Sequence, residues 1–290
     1  MLKYFLRLPN KSASIILMII SGFCFVIMHS SAKYLAAEIH IFEIVFLRCA
    51  LVAIVLLPFI FKEGINSITT KQPLNQIYRI LTNSIAILLF FYGLSITPIS
   101  TVTALNFTAP IFATILAIIF LKEKLNTLRL IALALGFVGV LIILKPNVSM
   151  NLGGFFILLS AFSWSVSLIF IKELTKTDSA VTISLYAGVG MIPATFLAAF
   201  PYLQLLNITQ MLIILFIAIS GTLAQTLLNS ALKREELSFL LPLDFLKLVW
   251  SILLGIAIFE ENNSISLWLG GLFIIGASTL VVRLDKNKML

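Results

Sequence analysis

The sequence predicts an all-α membrane protein with ten transmembrane helices, built as two inverted five-helix repeats. Three observations lead there. Of the 290 residues, 60% are hydrophobic and only 11% charged, and a mean hydropathy of +1.12 leaves too little polar surface to coat a soluble domain. Apolar stretches long enough to cross a hydrocarbon core of about 30 Å recur between short polar breaks. The chain also aligns with itself at a nearly constant offset of 137 to 139 residues.

Taken in order, the polar and proline-containing breaks leave stretches at 12–36, 41–61, 77–97, 100–121, 126–144, 152–173, 178–198, 208–232, 236–258 and 265–283. The first follows Lys3, Arg7 and Lys11 and so imitates a signal peptide, but it runs too long and lacks a small-x-small cleavage site. It reads as a retained helix. Cys24 and Cys49 both fall in apolar runs, which excludes a disulfide framework or a CxxC motif. With ten spans both termini share one side, and on that side lie Lys3, Arg7, Lys11, Lys62, Lys71, Arg79, Lys122, Lys124, Arg129, Lys172, Lys176, Lys233, Arg234, Arg283, Lys286 and Lys288, sixteen of the twenty basic residues. Lys33 and Lys145 fall on the other side, and Arg48 and Lys247 inside spans. Positive loops face the cytoplasm, so both termini are expected there, in a bacterial cell inner membrane. That distribution accounts for the net charge of +8 without nucleic acid as a partner.

Self-alignment pairs Ser21, Phe23, Lys33 and Leu35 with Ser160, Phe162, Lys172 and Leu174 at 139. Ser100, Leu105, Asn106 and Phe107 pair with Ser238, Leu243, Asp244 and Phe245 at 138, and Glu123 and Gly139 with Glu260 and Gly276 at 137. The repeats are 12–145 and 152–283. Five spans is an odd number, so the second copy enters the membrane upside down. Two such halves can exchange conformations and open a midplane site to one side and then the other, which is the usual architecture of secondary transporters.

Phe42-Glu43 followed by Arg48, Pro110, Phe120-Leu-Lys-Glu123, Gly136 and Gly139, Pro242 and Phe259-Glu260 together resemble the EamA branch of the drug/metabolite transporter superfamily. The resemblance implies a basket of helices around a central cavity, with the fifth and tenth helices packed outside it. It also implies a carrier of the kind that moves amino acids, S-adenosylmethionine, vitamins or toxic compounds. Lys33-Tyr-Leu35, His40, Phe42-Glu43 and Arg48 look like the S-adenosylmethionine uptake carriers of that family; the charges of the ninth span depart from that pattern.

A charge at the centre of a span costs at least about 2.5–3.5 kcal/mol, so each one needs a partner, water or a task. Arg48 lies about 10 Å into its helix, where it either snorkels outward or faces a cavity or ion pair; the resemblance implies a substrate contact or a structural tie. Glu43 is about 140° away round the same helix and does not pair with it. Asp244 and Lys247, three apart beyond Pro242, either neutralise each other or offer partners for which a polar substrate competes. Asn106 occupies the Asp244 position in the first repeat. Thr222, Gln225 and Asn229 form one stripe, serving as interhelical glue or as ligand contacts. His29 is a candidate proton carrier or hydrogen-bond donor, Lys33 and Lys172 are snorkelling anchors, and Trp164 either stacks on a planar ligand or packs. Glu123 and Glu260, at span ends, are expected to meet water, and Ala132/Gly136 and Gly190/Ala194 are packing pairs.

The expected function is therefore a secondary transporter of a small polar or amphipathic metabolite, of the amino-acid or derivative class, with S-adenosylmethionine uptake as the narrower alternative. The candidate cavity residues are Arg48, Asn106, Gln225, Asn229, Asp244, Lys247, His29, Glu43 and Trp164. A channel or scaffold is the competing class; an intramembrane enzyme is weaker still, because no H-E-x-x-H or G-x-S-x-G occurs. No GxxxxGK[ST] loop is present to use ATP, and no metal or other cofactor is expected. Proton coupling through Asp244, Glu43 or His29 is the hypothesis for drive. The partners are the substrate and the lipid bilayer, with a homodimer as the alternative to a single copy.

Overall fold

The computed structural model describes residues 10–64, 68–97, 99–124, 126–144, 152–259 and 265–286, which contain α-helices, one turn of 3-10 helix and, among the described residues, no strand. The helices are α1 (Asn10–Leu35), α2 (Ile41–Glu63), α3 (Pro73–Ser95), α4 (Ile99–Asn106), α5 (Ala109–Phe120), α6 (Thr127–Leu144), α7 (Leu152–Leu174), α8 (Ala180–Gly190), α9 (Ile192–Ala199), α10 (Ile208–Arg234), α11 (Leu237–Asp244), α12 (Leu246–Phe259) and α13 (Ile265–Lys286). In lipid a backbone must satisfy its own hydrogen bonds, and helices do so within one segment. Their ends follow local chemistry. His40 Nδ1 accepts the Phe42 N–H at 3.3 Å to open α2, and Pro73 opens α3. Ser179 Oγ accepts the Thr182 N–H at 3.1 Å to open α8, and Asn207 with Gln210 forms a capping box on α10.

Among the described residues, eight spans are long and apolar enough to cross a membrane, and a shorter apolar stretch, Trp268–Leu280, follows. Three of the ten apolar stretches are not single helices. The fourth breaks at Phe107 and Thr108, because Pro110 has no N–H for the Asn106 carbonyl. The seventh breaks at Met191 ahead of Pro193, and the ninth at Phe245, just after Pro242. The third begins at Pro73, earlier than its apolar stretch, and Arg79, expected among the basic residues of the cytoplasmic side, is not a solvated cation. Arg79 is fully buried within α3, where its Nη1 donates to the Ile183 carbonyl at 2.6 Å.

Large apolar side chains cover the outside of the bundle, among them Ile54, Leu81, Ile119, Leu197, Leu212 and Leu272. Such a skin is a lipid-facing surface. Inside, α3 packs along α7, α1 along α10, and α6 along α13, while α5 meets both α7 and α11. The α6–α13 crossing is made by backbone. A Cβ on Gly139 would stand 2.7 Å from the Gly270 carbonyl oxygen, and one on Gly270 would stand 2.5 Å from that of Gly139.

One end of the bundle carries residues 68–72, 121–124, 175–179 and 235–236; we call it the basic face. Two expectations are corrected there. Glu123 does not face water: it is 9% exposed and accepts the N–H groups of Leu237 at 2.7 Å and Ser238 at 2.9 Å, capping α11 from across the molecule. Lys172 is not a free anchor either, since its Nζ donates to the Leu232 and Glu235 carbonyls, both at 2.6 Å, and closes the end of α10. Lys33 is exposed at the end of α1. Glu260 and Lys145 lie outside the described residues. Arg129 meets Glu236 and Ser238 at the same face.

Gly276 has open space where a Cβ would sit, which provides a control for Gly139. Gly139→Leu should lower the stability of purified protein in detergent by about 1–3 kcal/mol through overpacking, whereas Gly276→Leu should leave the thermal unfolding midpoint unchanged.

Candidate functional site

A cavity of about 400 Å³ lies between the helices, within the range of small-molecule sites. Each wall is one helical stripe: Phe25, Met28, His29 and Ala32 from α1; Ile41, Ile44, Val45 and Arg48 from α2; Asn83, Ala86, Ile87 and Phe90 from α3. These spacings of three and four put the residues on a single face of each helix. Trp164 of α7 and Gln225 of α10 complete the ring. No residue of α6 or α13 lines it among the described residues, so that pair stands outside the basket.

The two broken helices meet at its base. Asn106 ends α4 and Asp244 ends α11, and the next residues, Phe107 and Phe245, stack with centroids 5.8 Å apart and planes at 29°. Gly136 admits the Phe245 ring, because a Cβ there would come within 2.4 Å of it. Across the break, Asp244 Oδ1 and Lys247 Nζ are 2.5 Å apart, and the ammonium also sits 4.6 Å from the centre of the Phe25 ring. Arg48 has a weaker partner: its Nη1 donates to the Met28 thioether at 3.0 Å. Among the described residues no carboxylate pairs with it.

Seven sequence candidates, Arg48, Asn106, Gln225, Asp244, Lys247, His29 and Trp164, line this one space. Two do not. Glu43 is 1% exposed in the first turn of α2, where its Oε1 accepts the Gln204 N–H at 3.2 Å. Asn229 is buried past the cavity against α8, donating to Ser184 Oγ at 2.9 Å and accepting from Gln225 at 3.1 Å. Asn83 and the aromatic wall of Phe25, Phe90, Phe91 and Phe107 were not singled out from the sequence. The signal for Asn83 was the polar series Gln76, Arg79 and Asn83 at helical spacing within an apolar span.

The cavity reaches from Pro110 and Trp164 toward the end of α1 and the start of α2, away from the basic face. On its other side, Pro110, Trp164, Asp244 and Lys247 divide it from a void of only about 20 Å³ among Met18, Leu168, Leu228, Leu232, Leu240 and Leu241. That is room for about one water. Beyond lies the basic face with its hydrogen bonds. The space is thus approached from one side and sealed from the other.

Both faces are tied by contacts of one form. At the basic face Asp178 accepts the Lys71 N–H at 3.1 Å, while the Gln72 side chain donates to the Glu173 carbonyl at 3.2 Å. At the opposite face Glu43 accepts the Gln204 N–H, while the Gln204 side chain donates to the Glu38 carbonyl at 3.3 Å. Burial opposes ionisation of Asp178, but hydrogen bonds from Thr70, the Lys71 backbone, Thr177 and Gln76 outweigh it and hold the carboxyl below its ordinary range.

A largely apolar cavity within a helical bundle, carrying a few convergent polar and charged groups and lying nearer one face than the other, is the site of a membrane transporter. The comparisons agree. The model of the EamA-like transporter family matches residues 12–145 and again 151–283, and the chain belongs to that family. It is 30% identical over 259 residues, covering 89% of both chains, to the S-adenosylmethionine uptake transporter of Rickettsia bellii (strain RML369-C). It is 29% identical over 277 residues, covering 93% of both, to the riboflavin transporter of Vibrio cholerae serotype O1. These relatives are named as transporters, not enzymes. A solved crystal structure superposes with a TM-score of 0.83 over 96% of this chain and 99% of its own, at 13% identity, which shows a shared fold.

Because the folded carboxyl of Asp178 titrates below its unfolded value, its contribution is complete above the unfolded pKa and is lost as pH falls through the folded one. Asp178→Asn should therefore be less stable than the wild type at pH 7. The gap between their unfolding midpoints should close as the pH is taken from about 5 to 3.

Proposed function

We propose that the protein is a secondary transporter of the bacterial inner membrane that moves a zwitterionic, amino-acid-derived metabolite with a planar ring, S-adenosylmethionine being the first compound to test. The observation that carries this reading is Arg48, a guanidinium inside the cavity whose partner among the described residues is a thioether. A carboxylate would replace that weak acceptor with a charge-assisted bond. Asp244 faces the same space for an ammonium or sulfonium, and Phe25, Phe90, Phe91, Phe107 and Trp164 provide flat apolar surface for a ring. Of the two compounds named among the relatives, S-adenosylmethionine carries an amino-acid head and riboflavin has neither its carboxylate nor its ammonium.

Ten crossings in two inverted repeats, with both termini cytoplasmic, account for the arrangement. Exchanging the halves maps the α1–α10 packing onto α7–α3, the broken α4–α5 pair onto α11–α12, and the tie at one face onto the tie at the other. Discontinuous helices at matching positions mark the binding site in such carriers. In this reading the face nearer the cavity is the outer one, and alternating access exchanges the ties at the two faces.

Ligand binding to the folded state raises its apparent stability. S-adenosylmethionine should raise the unfolding midpoint of the purified protein and enter proteoliposomes saturably, and riboflavin should do neither. Arg48→Gln should weaken S-adenosylmethionine binding by at least about tenfold, the loss of one charged hydrogen bond. Flux that rises linearly without saturation would place the protein among channels instead.

A further inference from the structure

The geometry points to a cation site at the break between α11 and α12 that the protein fills with its own Lys247, so that this lysine sets the selectivity of the cavity. Three features that attract a cation converge there. The first is the Asp244 carboxylate, 2.5 Å from the lysine Nζ. The second is the face of Phe25, with the same ammonium 4.6 Å from its centre. The third is the carboxyl-terminal end of α11, which closes at Asp244 and directs the negative pole of its peptide dipoles at this point.

The lysine reaches the site because Gly22 clears its stem. A Cβ on Gly22 would stand 3.3 Å from Lys247 Cγ. Asp244 and Lys247 both line the cavity, as do Arg48 and His29, the other basic groups that face it. The resident ammonium is therefore reachable from the space it guards.

A tethered cation competes at high effective concentration. A bare ammonium or sulfonium ion has only this one attachment and loses to it. A molecule that also carries a carboxylate gains a second attachment at Arg48, and can displace the lysine. Lys247 thus rejects simple organic cations by occupying their place, a selectivity built from competition rather than fit. This rests on the cavity being the binding site of the proposed transporter, but its test needs no transported compound.

The probe is trimethylsulfonium chloride, which has no carboxylate and no ring, titrated into detergent-purified protein by calorimetry. Wild-type protein should bind it weakly, Lys247→Met and Lys247→Gln at least tenfold more tightly, and the double variant Asp244→Asn with Lys247→Met no better than wild type. Folded Lys247 variants that gain no affinity would overturn the proposal, as would a double variant that keeps the gain. Should the variants not fold, the wild type decides. Saturating trimethylsulfonium should raise the rate of Lys247 acetylation by acetic anhydride at least threefold, read by mass spectrometry, and an unchanged rate refutes the proposal. Failure of S-adenosylmethionine to bind would leave these outcomes untouched, because none depends on the transported compound.

Discussion

Two of the three helix interruptions, at Phe107–Thr108 and at Phe245, govern where polarity is permitted in this molecule. In hydrocarbon a broken helix exposes backbone groups that nothing in the lipid can satisfy, so a break survives only against protein or a wet space. Here each break is set against the other through the stacked Phe107 and Phe245 rings, and the cavity opens on the adjoining side. Asn106 and Asp244 sit at those breaks, Lys247 follows the second, and Arg48 reaches the same space from α2. The charges are tolerated because the breaks set them against protein and the cavity rather than against lipid.

The seal on the basic face has a different character. Its contacts are long in sequence and short in space: Glu123 to Leu237 and Ser238, Arg129 to Glu236, Lys172 to Leu232 and Glu235, Asp178 to Thr70 and Lys71. Glu123 satisfies the start of α11 and Lys172 the end of α10, each from another part of the chain. Each such bond contributes modestly, about 0.5–1.5 kcal/mol or somewhat more where a charge takes part. A closure made of many modest bonds can be undone by a comparable gain elsewhere, which a carrier needs if it is to change state.

Hydropathy and charge were enough to read the membrane class and the apolar stretches, because the solvent selects for them directly. The breaks were harder. An interrupted span keeps its composition, and only Pro110, Pro193 and Pro242 hinted that α4–α5, α8–α9 and α11–α12 are pieces. Partners sixty to more than a hundred residues away left no local trace, so Glu123 and Lys172 looked like solvated span ends. Arg79 fell inside the apolar stretch 77–97 yet was counted with the basic residues of the terminal side, because hydropathy does not register the Ile183 carbonyl of α8 that it meets. Gln225 and Asn229 share one stripe of α10, yet one meets the cavity and the other Ser184 of α8. Their separation depends on a neighbouring helix that periodicity does not register.

The backbone contact between Gly139 and Gly270 bears on how the chain is assembled. Helix α6 leaves the ribosome well before α13, so its glycine-lined groove enters the membrane with lipid where α13 will later lie. Lipid tails fit a groove at peptide-to-peptide distance poorly, and the late helix finds a berth shaped for it alone. Without α13 that groove would lie open along the flank of α6, with lipid where the Gly270 backbone now sits.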